Sequence, residues 1–297
     1  LLVGIGDDAA ALVPPTDPIV LTVDAAVEGV HFTRQIASLE DIGYRSFMAA
    51  ASDLAAMAAR PVAALSSLTL PPRFTEQELE QLVAGQRLAA ALIGLPIVGG
   101  NLSRGGLLSV STTALGACPS PRLRSSARPG DRLWLAGPVG LAAAGLRALL
   151  RGLPTHAPAL RACVEAWRRP LARVEIGLRL SSLPCALIDV SDGLAQDAGH
   201  IALASGVRLI LDADQVLKES GSSLQEASAL LGEDPGALAL AGGEDYALLA
   251  ASSAELAPLG FVPIGQVEAG EPGVVVLRGG APWEPPAGFD HGEGSEP

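Results

Sequence analysis

The sequence predicts an α/β protein (α+β, with mixed sheets) of two domains. Three observations carry that expectation: short apolar runs alternate with Ala-rich helical segments, acidic residues recur where those runs give out, and composition breaks between Pro119 and Pro129. With 297 residues the chain can fill one large domain or two of ordinary size. Hydrophobic residues make up 49% but aromatics only 3%, so the core must come from Ala, Leu and Val. The mean hydropathy is +0.37. Ala-rich helices packed on a sheet fit that composition.

The net charge of −12 disfavours nucleic acid and anionic membrane as partners and favours cations. Cys118, Cys163 and Cys185 are widely spaced and form no CxxC pair, which fits a reducing cytoplasm rather than a disulfide or zinc framework. No apolar run long enough to cross a bilayer escapes Pro, Ser or charge, so a soluble protein without membrane attachment is expected. The chain starts at Leu1, so a segment upstream of it is expected. Lys218 is the only lysine. A GxxxxGKS/T loop therefore cannot be drawn, and any phosphate must be held by arginine, backbone or metal.

Gly4, Gly6 and Ala9 fit G-x-G-x-x-A, but Asp7 and Asp8 stand where a pyrophosphate would approach. With a divalent ion between, the same acids become ligands; the alternative is an exposed Gly-Asp-Asp turn. Ile19 to Val23 reads as a strand ending at Asp24, followed by a loop through Glu28 and His31 to Phe32. Ser38 to Asp41 opens a helix to about Ala59. Asp53 falls within it among alanines, with no Lys or Arg four residues away, which points to close approach of something cationic; a plain surface position is the alternative. A strand over 62–70, a capping box at Thr75 to Glu78, a helix to Ile93 closed by Gly94, and strands over 95–100 and 107–117 complete the first half. The boundary is placed after residue 127, dividing the chain into 1–127 and 128–297. Arg122, Arg124 and Arg128 lie beside it.

Beyond it, 132–137 reads as a strand, 139–150 as a helix, and 165–183 as a helix interrupted at Pro170. Leu187 to His200, LIDVSDGLAQDAGH, is the central stretch: an apolar run ends at Asp189, Asp192-Gly193 turns the chain, and a helix follows. Ligands of open α/β sheets bind beyond strand ends, and acids there can face a phosphate only through metal ions. The plain alternative makes Asp192 a helix N-cap. A strand over 207–211 follows, then Gly242 to Tyr246 presents Glu244 and Asp245 before a strand over 247–251.

In order, GIGDDAA, LTVD, GVHF, ASDLAAM, IVGGN, RSSA, RPLAR, DVSDG and GGEDY resemble the thiamine-monophosphate kinases of the aminoimidazole ribonucleotide synthetase superfamily. The resemblance covers Gly4 to about Tyr246, with an echo at Gly288 to Asp290. It implies a two-domain fold whose N-terminal domains pair in a homodimer, with ATP as co-substrate, several Mg²⁺ ions, and thiamine monophosphate as acceptor. By position it implies Asp7, Asp24, Asp53, Asp189 and Asp192 as metal ligands, with Asp8, Thr22 and Asn101 added, and Asp24, Asp53 and Asp189 central to catalysis. Gly100, Asn101, Arg124 and Ser191 match ATP contacts; His31, Glu244 and Phe289 match contacts to the thiamine side. Three positions depart from the pattern. Asn101 replaces an aspartate, Ile93 replaces an aromatic, and an acid is lost from the turn over 137–141. The open alternatives are another ATP-dependent synthetase of the superfamily and a catalytically weakened nucleotide-binding homologue.

Overall fold

Two sheets are joined through one buried helix in the computed structural model, which describes residues 1–6 and 8–288. In the first half, β1 (Ile19–Val27), α1 (Leu39–Ala56), β2 (Arg60–Leu70), α2 (Glu76–Ile93), β3 (Ile97–Arg104) and β4 (Ser109–Ala117) follow in turn. Their strands form a four-stranded sheet in the order β1-β4-β2-β3. The second half contains β5 (Arg132–Ala136), α3 (Leu141–Leu150), α4 (Pro158–Arg168), α5 (Val174–Arg179), β6 (Ala186–Val190), α6 (Leu194–Ser205) and β7 (Arg208–Asp212). It closes with α7 (Ala213–Leu231), α8 (Pro235–Ala241), β8 (Ala247–Ser252), β9 (Val262–Glu268), β10 (Gly273–Arg278) and β11 (Ala281–Trp283). These strands make a seven-stranded mixed sheet in the order β11-β10-β7-β9-β5-β8-β6.

Side-chain alternation explains how α1 comes to serve both sheets. Along β5, β6 and β8, Leu133, Leu135, Ile188, Val190, Leu249 and Ala251 enter the core formed with α3, α4, α6, α7 and α8. The residues between them, Trp134, Ala136, Leu187, Leu248 and Ala250, face Phe47, Met48, Ala51, Leu54 and Ala55 of α1. Another side of α1 meets the first sheet, where Ile42 packs with Leu68, Leu82 and Val110. A helix buried nearly all round needs small residues. Its alanines provide them, and so does Gly43, where a Cβ would lie 2.0 Å from the Leu82 carbonyl oxygen of α2. Ser38 starts the helix: its hydroxyl accepts the Asp41 N–H at 3.1 Å, and the Asp41 carboxylate accepts the Ser38 N–H at 3.3 Å.

The four-stranded sheet is covered on one face only. Ile19, Leu21 and Val23 of β1 point outward and are 57%, 68% and 67% exposed. Thr22 and Asp24, on the alternate positions, point inward toward α1 and the second sheet, as Thr22 hydrogen-bonding to α1 requires.

Several expectations are corrected. Asp24 is not at a strand end, because β1 runs on to Val27 in register with β4. The helix expected over 165–183 is two helices, α4 beginning at Pro158 and α5 at Val174, with Pro170 between them. Helices α7 and α8 were not expected at all. α7 is polar and broken at Gly221, whose φ of 77° is non-helical, and α8 starts with Asp-Pro-Gly, which reads as a turn. At the glycine-rich start an isolated bridge joins Val3 to Ala11, and the first regular element is β1. Among the described residues, no helix is long and apolar enough to cross a membrane.

Candidate active site

The acids converge where α1 is held between the sheets. Asp189 is the fourth residue of β6, and alternation turns it, with Leu187, toward α1. There Ser52 donates its hydroxyl to Asp189 at 2.6 Å, a bond spanning 137 residues. The next residue of α1 is Asp53, whose carboxylate accepts the Thr22 hydroxyl of β1 at 2.5 Å. Asp24, two residues further along β1, accepts the following backbone N–H, that of Ala25, at 2.7 Å. Asp24, Asp53 and Asp189, from both sheets and the helix between them, therefore border one region.

The electrostatics agree with this crowding. Burial raises the Asp53 carboxyl above its ordinary range and Asp24 adds to the rise, while the Thr22 hydroxyl and Arg124 oppose it. Burial lifts Asp189 to about 6 and repulsion from Asp53 contributes, against the Ser52 hydroxyl and Arg124. Among the described residues no lysine or arginine hydrogen-bonds to Asp53 or Asp189. Arg124, exposed on the short 3₁₀ turn Arg124–Ser126, acts on both only through space.

At the start of α6, Gly193 is the cap residue, so Asp192 does not cap the helix. Asp197 takes the local N–H groups instead, accepting from Ser191, Asp192 and Gly193 at 3.0, 3.1 and 3.2 Å. Burial, with Asp189 and Asp192 close by, raises its carboxyl to about 7. Ligand atoms of Asp192, Asp197 and His200 lie within 4.8 Å of one another, the one such group among the described residues. Asp24, Asp53 and Asp189 are a looser set. That does not exclude Mg²⁺, which keeps several waters and needs only one or two carboxylates per ion.

The positions matched to the thiamine side are held within the chain. Glu244 accepts from Arg45 at 2.6 Å and from the Trp167 indole N–H at 2.8 Å. His31 Nδ1 accepts the Val27 N–H at 3.2 Å, and the His31 carbonyl accepts from Arg45 at 3.0 Å. Asp245 serves the fold: it accepts the N–H groups of Gly140 and Ala142 at 2.6 and 3.0 Å, capping α3 where the local turn has no acid.

Asn101 is not gathered with the acids. It pairs with Ser67, which pairs with Ser111, which pairs with Ala25, so its row lies on the outer face of the sheet, opposite Thr22 and Asp24. With Asp8, Leu21, Leu65, Ser67 and Gly100 it lines a groove of about 1100 Å³ along the β3 edge. Gly100 lets β3 approach β2 there, since a Cβ would meet the Ser66 carbonyl oxygen at 1.8 Å. Asp7 and Phe289 lie outside the described residues.

The sequence reading missed Ser52, Asp197, Arg45 and Trp167. Asp197 had a readable signal, an acid in the first turn of a helix without a polar cap residue. A buried Arg45 implied an acidic partner, but nothing in the sequence could identify Glu244, 199 residues away.

Comparison with known proteins gives the arrangement its relatives. Residues 6–118 match the N-terminal domain, and residues 128–278 the C-terminal domain, of AIR synthase related proteins. The thiamine-monophosphate kinase of Corynebacterium glutamicum is 35% identical, over 88% of this chain and 80% of its own length. That of Aquifex aeolicus is 33% identical, over 90% of this chain and 87% of its own. A solved structure described as AaThiL complexed with AMPPCP and TMP superposes with a TM-score of 0.85 at 32% identity, covering 97% of this chain and 91% of that one. The hydrogenase maturation protein HypE in complex with ATP shares the fold, with a TM-score of 0.75 at 21% identity. The chain belongs to the AIR synthase related proteins and, among them, to the thiamine-monophosphate kinase family.

Proposed function

We propose that this chain transfers the γ-phosphoryl group of ATP to thiamine monophosphate, giving thiamine diphosphate and ADP. The observation that carries the reading is the convergence of Asp24, Asp53 and Asp189 from two sheets and the helix between them, beside Arg124. Half-buried and buried carboxylates that repel one another and have no hydrogen-bonded cation suit hard divalent ions, and their oxygen donors fit Mg²⁺. When bound, Mg²⁺ would neutralise phosphate charge and help to align the two substrates.

Asp24, Asp53, Asp189 and Asp192 would hold those ions, with Asp7, Asp8 and Thr22 as further ligands, whereas Asn101 faces away from them. The Thr22 and Ser52 hydroxyls fix how the carboxylates of Asp53 and Asp189 are turned. Arg124, Ser191, Gly100 and Asn101 would contact ATP, and His31, Glu244 and Phe289 the thiamine side. An acceptor phosphate oxygen forms the new bond to γ-phosphorus as the bond to the β,γ-bridging oxygen breaks, and ADP leaves with that electron pair. The acceptor phosphate, with a second pKa of about 6, is already ionised at neutral pH, so no side chain need remove a proton.

The groove bearing Gly100 and Asn101 opens on the uncovered sheet face, which supports a homodimer formed through that face with nucleotide beside it. The two matched regions and the two sheets support a division at 127/128. Cys118, Cys163 and Cys185, all unpaired and buried, support a cytoplasmic setting.

ADP release should require both Mg²⁺ and thiamine monophosphate and should cease in EDTA. Release that ignores thiamine monophosphate would favour another acceptor, and no release at all would favour a binding homologue.

A further inference from the structure

Two side chains outside the acidic group hold both of the described positions assigned to the thiamine side. Arg45, 5% exposed within α1, donates to three partners at once: Glu244 at 2.6 Å, the His31 carbonyl at 3.0 Å and the Trp167 carbonyl at 3.2 Å. Its guanidinium also lies over the Trp167 ring, 4.1 Å from the centroid. The indole N–H of Trp167 reaches the other oxygen of Glu244 at 2.8 Å. Each Glu244 oxygen thus has one charged or polar donor from a different helix, α1 or α4.

Those two bonds leave Glu244 part of its accepting capacity, because an ionised carboxylate offers about four lone-pair sites. Its side chain stays 30% exposed, so the free edge is open to a ligand. The backbone is fixed as well: Glu244 sits at a φ of 67°, and its N–H is bonded to the Ser191 carbonyl at 2.7 Å. A carboxylate held in this way is suited to receive N–H donors or positive charge, and thiamine carries an amino group and a cationic ring.

We propose that Arg45 and Trp167 are positioning residues for the acceptor end of the site, setting the Glu244 carboxylate and the His31 loop in one fixed relation. The inference rests on the thiamine monophosphate reading above. Both residues act through Glu244 and His31 rather than on the reacting atoms. Arg45 sits eight residues before Asp53 on α1, so the helix that bears a metal-site acid also fixes the acceptor contacts.

The test separates the two substrates. Trp167→Phe keeps an aromatic ring beneath the guanidinium and removes one hydrogen bond. It should raise KM for thiamine monophosphate about tenfold, as loss of one bond to a charged group implies, and leave KM for ATP nearly unchanged, while the smaller ring in a buried position lowers the melting temperature. Arg45→Lys, whose compact ammonium cannot reproduce the planar three-partner geometry, should shift the same KM further and again spare ATP. Both variants are assayed beside wild type by ADP release, with thermal unfolding of each. An unshifted acceptor KM in folded variants, or equal rises for both substrates, overturns the positioning role. Should Trp167→Phe fail to fold, Arg45→Lys decides by the same split. A wild-type chain that ignores thiamine monophosphate overturns the substrate reading and this inference with it, whereas active wild type beside unshifted variants overturns this inference alone.

Discussion

Asp53→Asn should lower turnover by about three orders of magnitude, the scale seen when a charge-stabilising group is removed from a preorganised site, while the metal-free chain melts no lower than wild type. Asparagine keeps the shape of the side chain and an oxygen for the Thr22 hydroxyl, so the link from α1 to β1 survives. What it removes is charge. The sign of the stability effect follows from the raised pKa of Asp53, caused first by burial and then by Asp24. A carboxyl with a folded pKa above its unfolded value binds its proton more readily in the native state, so its ionisation costs stability as pH rises past the unfolded pKa. At neutral pH the amide avoids that cost. Added Mg²⁺ should then stabilise wild type and do much less for the variant, since binding to the native state alone raises stability by mass action. Initial rates and melting curves with and without Mg²⁺ check both parts. Turnover within tenfold of wild type would exclude Asp53 from the metal site.

That combination of lost activity and retained fold explains why Asp53 could be singled out in the sequence. An acid inside an alanine-rich helix with no neighbouring cation offers the fold little, so its presence signals a ligand. Asp189 was legible for a related reason, since it closes a run of apolar residues before a Ser-Asp-Gly turn. Their meeting was not legible from spacing, because it depends on α1 passing between two sheets. Here the core sets the arrangement: Trp134, Leu187 and Leu248 of one sheet share a cluster with Phe47 and Leu54 of the helix. The helix is as much a part of the second half as of the first, so a boundary read from composition describes the sheets better than the packing. Arg45, Trp167 and Ser52 escaped notice because their partners lie 199, 77 and 137 residues away. Asn101 shows the converse error. Its motif lines up with the acids in sequence order, but period-two alternation in β3 places it on the other face of the sheet.

Leu21→Arg should convert the proposed dimer to monomers, weakening association by at least about a thousandfold, or roughly 4 kcal/mol. Leu21 lies opposite Leu115 and between Ile19 and Val23, on a face whose remaining positions in β2 to β4 include Leu65, Ser67, Asn101, Ser111 and Thr113. Ile19 to Val27 contributes Ile, Leu, Val, Ala and Val to this face and no charge, although the chain carries −12 overall. An uncharged patch on so acidic a surface is where two copies can meet with least repulsion. Burying a leucine or valine side chain contributes about 1.5 to 3 kcal/mol. In a two-fold dimer every substitution occurs twice, so one arginine puts two like charges into the same interface. The groove with Gly100 and Asn101 opens beside Leu21, so the monomeric variant should also show a raised KM for ATP. Sedimentation of wild type and variant over a concentration series reads the association directly. Wild type that remains monomeric at micromolar concentration would mean that the bare face is not where two copies join, and that nucleotide binds without a partner's help.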